Sequence, residues 1–170
     1  FFSGKLHTHH AALHDFQRAV LGGEAARLQV PQGQLLRYRQ QLIAIAWCDE
    51  SLPWPLACQP GVRVVTPFGS LEWVWQRGGL SAASAQGDMW LRARGGGESL
   101  PQKVGRVALK KLFQTHAVPA ALREVWPLLH GVNGELLAVP GLGVSHLCQS
   151  EGEGWWPLWQ PAALPGRNVC

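Results

Sequence analysis

The sequence has little of what marks a membrane, secreted or metal-binding protein. Its four cysteines form no Cys-x-x-Cys pair, which argues against a zinc or redox motif of that kind; they are Cys48, Cys58, Cys148 and Cys170. No apolar run approaches the roughly 20 residues that a membrane span needs, and the first residues lack the charged and apolar regions of a signal peptide. We therefore expect a cytoplasmic protein with reduced thiols.

Catalytic motifs are missing too. The chain has no Gly-x-x-x-x-Gly-Lys-Ser phosphate loop and no Gly-x-Ser-x-Gly elbow, so nothing supports an independent hydrolase or transferase. One histidine cluster has ligand-like spacing, because His10 and His14 lie one helical turn apart, but no Cys or Glu joins it at a matching interval. We interpret the cluster as surface histidines without a metal: His7, His9, His10 and His14.

The composition describes a globular protein. Hydrophobic residues make up 46% of the 170 residues and charged residues 15%, which excludes a disordered chain and allows one full domain plus a fragment of another. Apolar residues at helical spacing predict a helix over 10–21, ended by Gly22 and Gly23, and apolar runs predict strands over 27–30 and 35–47. Such a helix is marginal alone, so it either docks on the following domain or ends a different one.

From residue 48 onward the pattern predicts a domain rich in strands. Asn133-Gly134 is a strong hairpin signal, and Pro119 fits the first turn of a helix. A turn at 67–70 should join the first two predicted strands into a second hairpin. The predicted strands cover 62–65, 71–76, 89–93, 128–130, 135–139 and 143–148, the predicted helices 106–116 and 120–125, and the expected loops 51–60 and 78–87. The fold class is therefore α+β, with a mixed or antiparallel sheet and short helices, over about 48–170.

The tryptophans allow two interpretations. Nine of them would permit stacking on nucleic-acid bases, but Trp73 and Trp75 share one face of a predicted strand, which favours a place in the core. Two interpretations fit the last three tryptophans, Trp155, Trp156 and Trp159: they are bulky apolar residues that close the core, or they form a patch that faces another domain.

Positive charge is concentrated in one segment. Between residues 92 and 124, seven basic residues stand beside two acidic ones, although the whole chain carries only +4. Lys103, Arg106 and Lys110 are spaced three and four apart, which predicts a cationic face on the helix over 106–116. The glycine run at 95–97 can offer backbone N–H groups to a phosphate. The pattern alone leaves an RNA-binding surface and a solvated helix face as alternatives.

One order of motifs runs through this segment. It comprises Arg92-Ala93-Arg94-Gly95-Gly96-Gly97-Glu98, Gly105-Arg106, Leu109-Lys110-Lys111-Leu112-Phe113-Gln114, Val118-Pro119, Leu122-Arg123-Glu124, Pro127-Leu128-Leu129 and the run from Gly134 to Val144. This order resembles the C-terminal domain of bacterial tRNA(Ile)-lysidine synthetases. Residues 9–45 resemble, less specifically, the end of that family's helical middle domain. The resemblance assigns 1–47 to that helical domain with its connecting strands, and 48–170 to the C-terminal tRNA-binding domain.

The resemblance also implies an activity. The family is a ligase that uses ATP with magnesium to adenylate the wobble cytidine of tRNA(Ile), after which the amine of lysine displaces AMP and forms a C–N bond. The family's ATP loop, Ser-Gly-Gly-x-Asp-Ser, does not occur here. We therefore expect this chain alone to be inactive and to need no cofactor. Its implied role is to hold the tRNA by its acceptor stem, with a fold akin to a domain of the phenylalanyl-tRNA synthetase β subunit.

Nine residues are the candidate tRNA contacts, because cations at phosphate spacing and nearby backbone donors suit A-form RNA. They are Arg92, Arg94, Gly95, Gly96, Lys103, Arg106, Lys110, Lys111 and Arg123. Arg123 has an alternative structural role in pairing with Glu98 or Glu124. The competing function is a non-catalytic protein-interaction or interdomain module, and a homodimer stays open as well.

Overall fold

The computed structural model describes residues 3–31, 33–38, 41–46 and 54–162, with side chains from residue 11 onward except at 41 and 46. By their internal contacts these residues fall into two compact units, 3–46 and 54–161. The assignment of 1–47 to the end of a helical domain is not tested by this division and stays a prediction.

The first unit is one helix and a three-stranded sheet. Its elements are α1 (Ser3–Leu21), β1 (Ala26–Val30), β2 (Gly33–Tyr38) and β3 (Gln41–Ala46). The helix begins earlier than predicted but ends at Leu21, where Gly23 takes a φ of 82° and Glu24 N–H bonds to Ala19 O at 2.9 Å. The strands pair antiparallel in chain order. The single strand predicted over 35–47 is therefore wrong, because it is two strands, and Trp47 lies outside the described residues.

The second unit is built from three antiparallel sheets and three short helices. Its elements are β4 (Leu56–Cys58), β5 (Val64–Thr66), β6 (Gly69–Arg77), α2 (Ala82–Ala85), β7 (Met89–Arg92), β8 (Ser99–Pro101), β9 (Arg106–Ala108), α3 (Leu109–Thr115), α4 (Ala120–Arg123), β10 (Leu128–His130), β11 (Leu136–Val139), β12 (Gly143–Val144) and β13 (Glu153–Pro161). The sheets have the strand orders β12-β11-β10-β7-β4, β13-β6-β5 and β8-β9. The predicted α+β class is confirmed, with antiparallel pairing throughout the described strands.

The core of this unit is apolar and aromatic. Leu91 on β7 and Leu129 on β10 are cross-strand partners with no exposed surface. On α3, Phe113 is equally buried, and its ring meets the Trp126 ring edge-on with 5.9 Å between centroids. Trp126 Nε1 donates to Pro140 O at 2.9 Å. Full burial of a leucine or phenylalanine contributes about 1.5–3 kcal/mol, so this cluster fixes where β7, β10 and α3 present their exposed residues.

Two predicted hairpins are confirmed, and both follow from local turn signals. β10 and β11 pair across the Asn133-Gly134 turn, where Gly134 has a φ of 80°. β5 and β6 pair across Pro67 and Phe68. The helix predicted at Pro119 is confirmed as α4.

Other expectations are wrong because long-range pairing overrides local composition. The expected loop at 51–60 contains β4, which pairs with β7. The expected exposed loop at 78–87 contains α2 and Leu80, which is fully buried and exchanges backbone hydrogen bonds with Trp155. The closing run of tryptophans is a strand, β13, that pairs with all nine residues of β6. The strand expected over 143–148 shortens to β12.

Trp75 also departs from its predicted place in the core. Its side chain is 49% exposed, while Trp73 is half-buried. Trp75 stands opposite Trp155 on β13, with ring centroids 5.2 Å apart, and its indole N–H donates to Glu153 Oε2 at 3.2 Å. The Trp75 indole therefore packs against its cross-strand partner, while about half of the residue's surface stays exposed.

Candidate nucleic-acid interface

The predicted basic helix is shorter than expected, and this changes where its cations lie. α3 begins at Leu109, and Arg106 lies on β9 instead. Gly105 has a φ of 74° and its carbonyl accepts from Gln102 N–H at 3.0 Å, so residues 102–105 form the tight turn between β8 and β9. The prediction of one helical face for Lys103, Arg106 and Lys110 is wrong, because the hairpin pairing with β8 takes up residues 106–108.

Four of the predicted basic side chains are exposed and have no hydrogen-bond or ion-pair partner among the residues that the structure describes. They are Arg92 at the end of β7, Lys103 in the β8–β9 turn, and Lys110 and Lys111 on the first turn of α3. Leu109, Leu112 and Phe113 are buried on the same helix, which turns the lysines outward. These four cations are the part of the predicted set that can meet a polyanion without breaking an internal contact.

The arginine at 106 is exposed but held by its neighbouring strand. Its Nε donates to Ser99 Oγ at 2.7 Å and its Nη2 donates to Ser99 O at 2.9 Å. The guanidinium therefore has a fixed orientation at the edge of the β8–β9 hairpin, with its remaining N–H groups available. Ser99 was not among the predicted site residues, and its role follows from the strand register that local sequence does not reveal.

Arg94 and Arg123 are half-buried and belong to one internal cluster. The Arg94 guanidinium carbon lies 5.0 Å from the centroid of the Phe113 ring, a cation–π distance. Arg94 Nη1 donates to Arg123 O at 3.4 Å, and Arg123 Nε donates to Val118 O at 2.8 Å. Arg123 thus has the structural role that the sequence offered as an alternative, although its partner is a carbonyl and not Glu98 or Glu124.

The backbone donors of the glycine run are already occupied. Gly95 N–H donates to Glu98 Oε1, and Gly96 N–H donates to the same oxygen at 2.9 Å. Burial acts to raise the pKa of the Glu98 carboxyl, but backbone N–H donors at residues 98, 95 and 96 and the positive charge of Arg94 outweigh it and lower that pKa. In this arrangement the two glycines hold a carboxylate, so the predicted phosphate contact of Gly95 and Gly96 would require Glu98 to move.

His130 is a neighbour of this site that sequence reasoning missed. It lies on β10, half-buried, and its pKa is lowered mainly by burial, with a further lowering by the charge of Arg92 and opposing contributions from Leu128 O, Glu98 and Glu135. Nothing in its local sequence marks it, because only the pairing of β10 with β7 brings it there.

Lys103 has different surroundings from the Arg94 cluster. It lines a shallow cleft of about 370 Å³ together with Gln102, Val144, His146, Gln149, Ser150 and Glu151. Arg94, Arg123 and Glu98 thus form one group, whereas Lys103 lines a separate cleft.

The described residues contain no group of three or more His, Cys, Asp or Glu side chains placed to hold a metal. His14 is exposed, while the side chains of His7, His9 and His10 lie outside the described set. Cys58 and Cys148 are free thiols, and Cys48 and Cys170 fall outside the described residues. No described helix is both long and apolar enough to cross a bilayer.

The described residues of the second unit form an antiparallel α+β domain with exposed lysines on a short helix, and comparison with known proteins defines its class. Residues 86–159 match the family model described as "TilS substrate C-terminal domain", so the chain carries a domain of that class. The resemblance to the C-terminal region of tRNA(Ile)-lysidine synthetases is thereby confirmed.

Three similar curated proteins are each named tRNA(Ile)-lysidine synthase. The chain is 48% identical over 153 residues to a tRNA(Ile)-lysidine synthase from Chromobacterium violaceum, covering 82% of this chain and 33% of that protein. It is 37% identical over 109 residues to one from Pseudomonas syringae, covering 62% and 24%, and 32% identical over 123 residues to one from Vibrio vulnificus, covering 69% and 28%. The chain therefore spans a third or less of the length of these curated relatives.

Proposed function

We propose that this chain is the tRNA-holding part of an ATP-dependent tRNA(Ile)-lysidine synthetase, a cytoplasmic ligase that joins lysine to the wobble cytidine of tRNA(Ile). ATP, magnesium and lysine are used by a catalytic domain whose ATP loop this sequence does not contain, so the chain alone has no ligase activity. Its task is orientation: it grips the tRNA at the acceptor stem, so that the distant anticodon loop meets the active site. The match to the substrate domain of that family supports this role.

The observation that carries the proposal is a set of four exposed cations that have no partner among the described residues, Arg92, Lys103, Lys110 and Lys111. The deep major groove of A-form RNA hides base edges, so a domain that grips a stem does so mainly through phosphates and ribose hydroxyls. Arg106 joins these four as an oriented donor on Ser99. Arg94 and Arg123 support the surface from inside rather than contacting phosphate.

The test is the salt dependence of binding between the 170-residue chain and an unmodified tRNA(Ile) transcript. Each phosphate contact contributes a slope of roughly 0.7–0.9 in log affinity against log salt. The double change Lys110→Glu and Lys111→Glu should weaken binding about tenfold or more and reduce the slope by roughly 2. The matched control is Arg27→Glu with Arg77→Glu, two exposed arginines outside the basic segment whose reversal changes the net charge equally.

One observation favours a second function, a protein-interaction module. Trp75 is 49% exposed, Val74 40% and Val65 69% on neighbouring strands, which leaves apolar surface on the sheet formed by β5, β6 and β13. tRNA binding that is absent or insensitive to salt, in this chain and in a longer protein that contains it, would favour the module. Concentration-dependent sedimentation would identify the homodimer that the sequence left open.

A further inference from the structure

Glu98 is a carboxylate within the basic segment, where its negative charge would repel an RNA phosphate. We propose that Glu98 is a positioning residue for the RNA-binding surface: it clamps the glycine turn at 95–97 to the start of α3, and so sets the spacing between Arg92 and the lysines of α3. This inference rests on the proposed function, because it assigns Glu98 a part in presenting that surface.

The side chain of Glu98 holds one side of the clamp. Its Oε1 accepts hydrogen bonds from the backbone N–H groups of both Gly95 and Gly96. Gly96 has a φ of 94°, a conformation that favours glycine, and an added Cβ there would meet nothing within 4 Å. The glycine is therefore required for the shape of the turn rather than for close packing, and the carboxylate is what holds that shape.

The backbone of Glu98 holds the other side. Its carbonyl accepts from Leu109 N–H at 3.1 Å, at the first residue of α3, and the next residue, Ser99, pairs with Ala108. Lys110 and Lys111 are the next two residues of α3 after Leu109. One residue thus bonds through its side chain to the turn that follows Arg92 and through its carbonyl to the helix that carries the lysines.

Arg94 closes the arrangement from the turn's other end. Its guanidinium packs on Phe113 of α3, and its charge favours the ionised form of Glu98. Arg94 Nε and Glu98 Oε2 are both buried without a hydrogen-bond partner among the described residues. Arg94 and Glu98, which flank the turn at 95–97, therefore both contact α3. The charge of Arg94 stabilises the ionised Glu98 carboxylate.

Electrostatics and positioning predict opposite changes in RNA affinity when the Glu98 side chain is removed. Removing a negative charge from a cationic surface strengthens its attraction for RNA, whereas removing a clamp spreads the cations over more conformations and weakens binding. We expect Glu98→Ala to lower the affinity for a tRNA(Ile) transcript about fivefold to tenfold. The salt slope should stay unchanged, because no phosphate contact is lost.

The matched control is Glu124→Ala, which removes the other carboxylate of the segment, an exposed one. It should bind tRNA as tightly as the unaltered chain or more tightly. Glu98→Gln keeps an oxygen that accepts from both glycines and should restore binding to within about twofold. Binding by Glu98→Ala that equals or exceeds that of Glu124→Ala would overturn the inference.

One further variant keeps the test decisive if Glu98→Ala does not fold. Glu98→Asp keeps the charge but shortens the reach to the glycines, so electrostatics alone predicts no change in tRNA affinity. Positioning requires Glu98→Asp to bind tRNA more weakly than the unaltered chain, and equal binding would contradict it.

A measurement without RNA separates this inference from the proposed function. In the amide spectrum of the full chain, Glu98→Ala, or Glu98→Asp if the alanine variant does not fold, should shift the resonances of Gly95 and Gly96 and also those of Leu109 to Lys111. Shifts confined to residues 95–98 would overturn the clamp whether or not the chain binds tRNA. Failure of the unaltered chain to bind tRNA would instead overturn the proposed function, and the spectrum would still decide whether Glu98 couples the turn to the helix.

Discussion

The Arg94 guanidinium donates from Nη1 to the main-chain carbonyl of Arg123 at 3.4 Å while lying over the ring of Phe113. This contact joins the second residue after β7 to the last residue of α4, beside the buried Phe113 of α3. Two arginines that resemble phosphate ligands in the sequence are thus linked to each other inside the domain. We therefore expect substitutions of these arginines to change the stability of the domain.

Replacing Arg94 by Lys should therefore destabilise the fold although the charge is kept. A lysine ammonium has no planar fork to reach a carbonyl while stacking on a ring, and loss of the ring contact and one hydrogen bond costs about 1–2 kcal/mol. Urea unfolding of the full chain measures this loss. The control is Arg92→Lys, at an exposed site that contacts no hydrogen-bond or ion-pair partner in the described part of the chain, where the change in unfolding free energy should stay within about 0.5 kcal/mol. Equal stability of the two variants would contradict a structural role for Arg94.

The features that sequence predicted well are those fixed by neighbouring residues. Asn133-Gly134 determines a hairpin turn and Pro119 the start of α4, and both signals lie within a few residues of their effect. The end of α1 at Leu21 is equally local, because Gly23 supplies the left-handed residue that closes it. The concentration of charge between residues 92 and 124 is also visible directly in the sequence.

The features that sequence missed depend on distant partners. Arg106 has helical spacing with Lys110, yet it lies on β9 because its strand pairs with Ser99–Pro101. Arg94 cannot be distinguished from Arg92 by its neighbours, since only the position of Phe113 makes it internal. The sequence does not predict β13 as a strand, because its partner, β6, precedes it by about eighty residues. Register between distant strands is not encoded in any short window.

Gly79, just after β6, approaches the backbone of Gly154 on β13 closely, and a substitution can test this approach. A Cβ at Gly79 would lie 2.4 Å from the carbonyl of Gly154, a backbone group that cannot swing aside. Gly79→Ala should therefore lower the free energy of unfolding by about 2 kcal/mol or more. Gly87→Ala is the control, because an added Cβ there meets nothing within 4 Å and the residue has no positive φ. It should be neutral or stabilising by up to about 1 kcal/mol.

Thermal unfolding of both variants measures the contrast. Comparable melting temperatures for the two alanines would show that the close approach of Gly79 to Gly154 is absent in solution.

The lowered pKa of Glu98 predicts a pH dependence of stability. A carboxyl whose folded pKa lies below its ordinary value of 4.5 stabilises the fold above that value, and this contribution is lost as the pH falls through the folded pKa. Glu98→Gln cannot titrate, so the unaltered chain should be the more stable of the two at pH 7. Urea midpoints measured from pH 7 down to pH 3 should converge below about pH 4.5. A difference that persists unchanged at pH 3 would show that charge at Glu98 does not contribute.

Cys58 offers a test of the core that does not involve the basic segment. It lies on β4 with 5% of its surface exposed, and burial raises the pKa of its thiol to about 12, against a small lowering by the backbone at Leu91. Because the thiolate is the reactive form, iodoacetamide at pH 8 should modify Cys58 at least about 100-fold more slowly in the folded chain than in urea. Cys148 is half-buried and its pKa is also raised, mainly by burial. In the folded chain it should therefore react faster than Cys58 but more slowly than Cys58 does in urea. Peptide mass spectrometry resolves the two sites, and equal labelling of Cys58 with and without urea would mean that β4 leaves the sheet under native conditions.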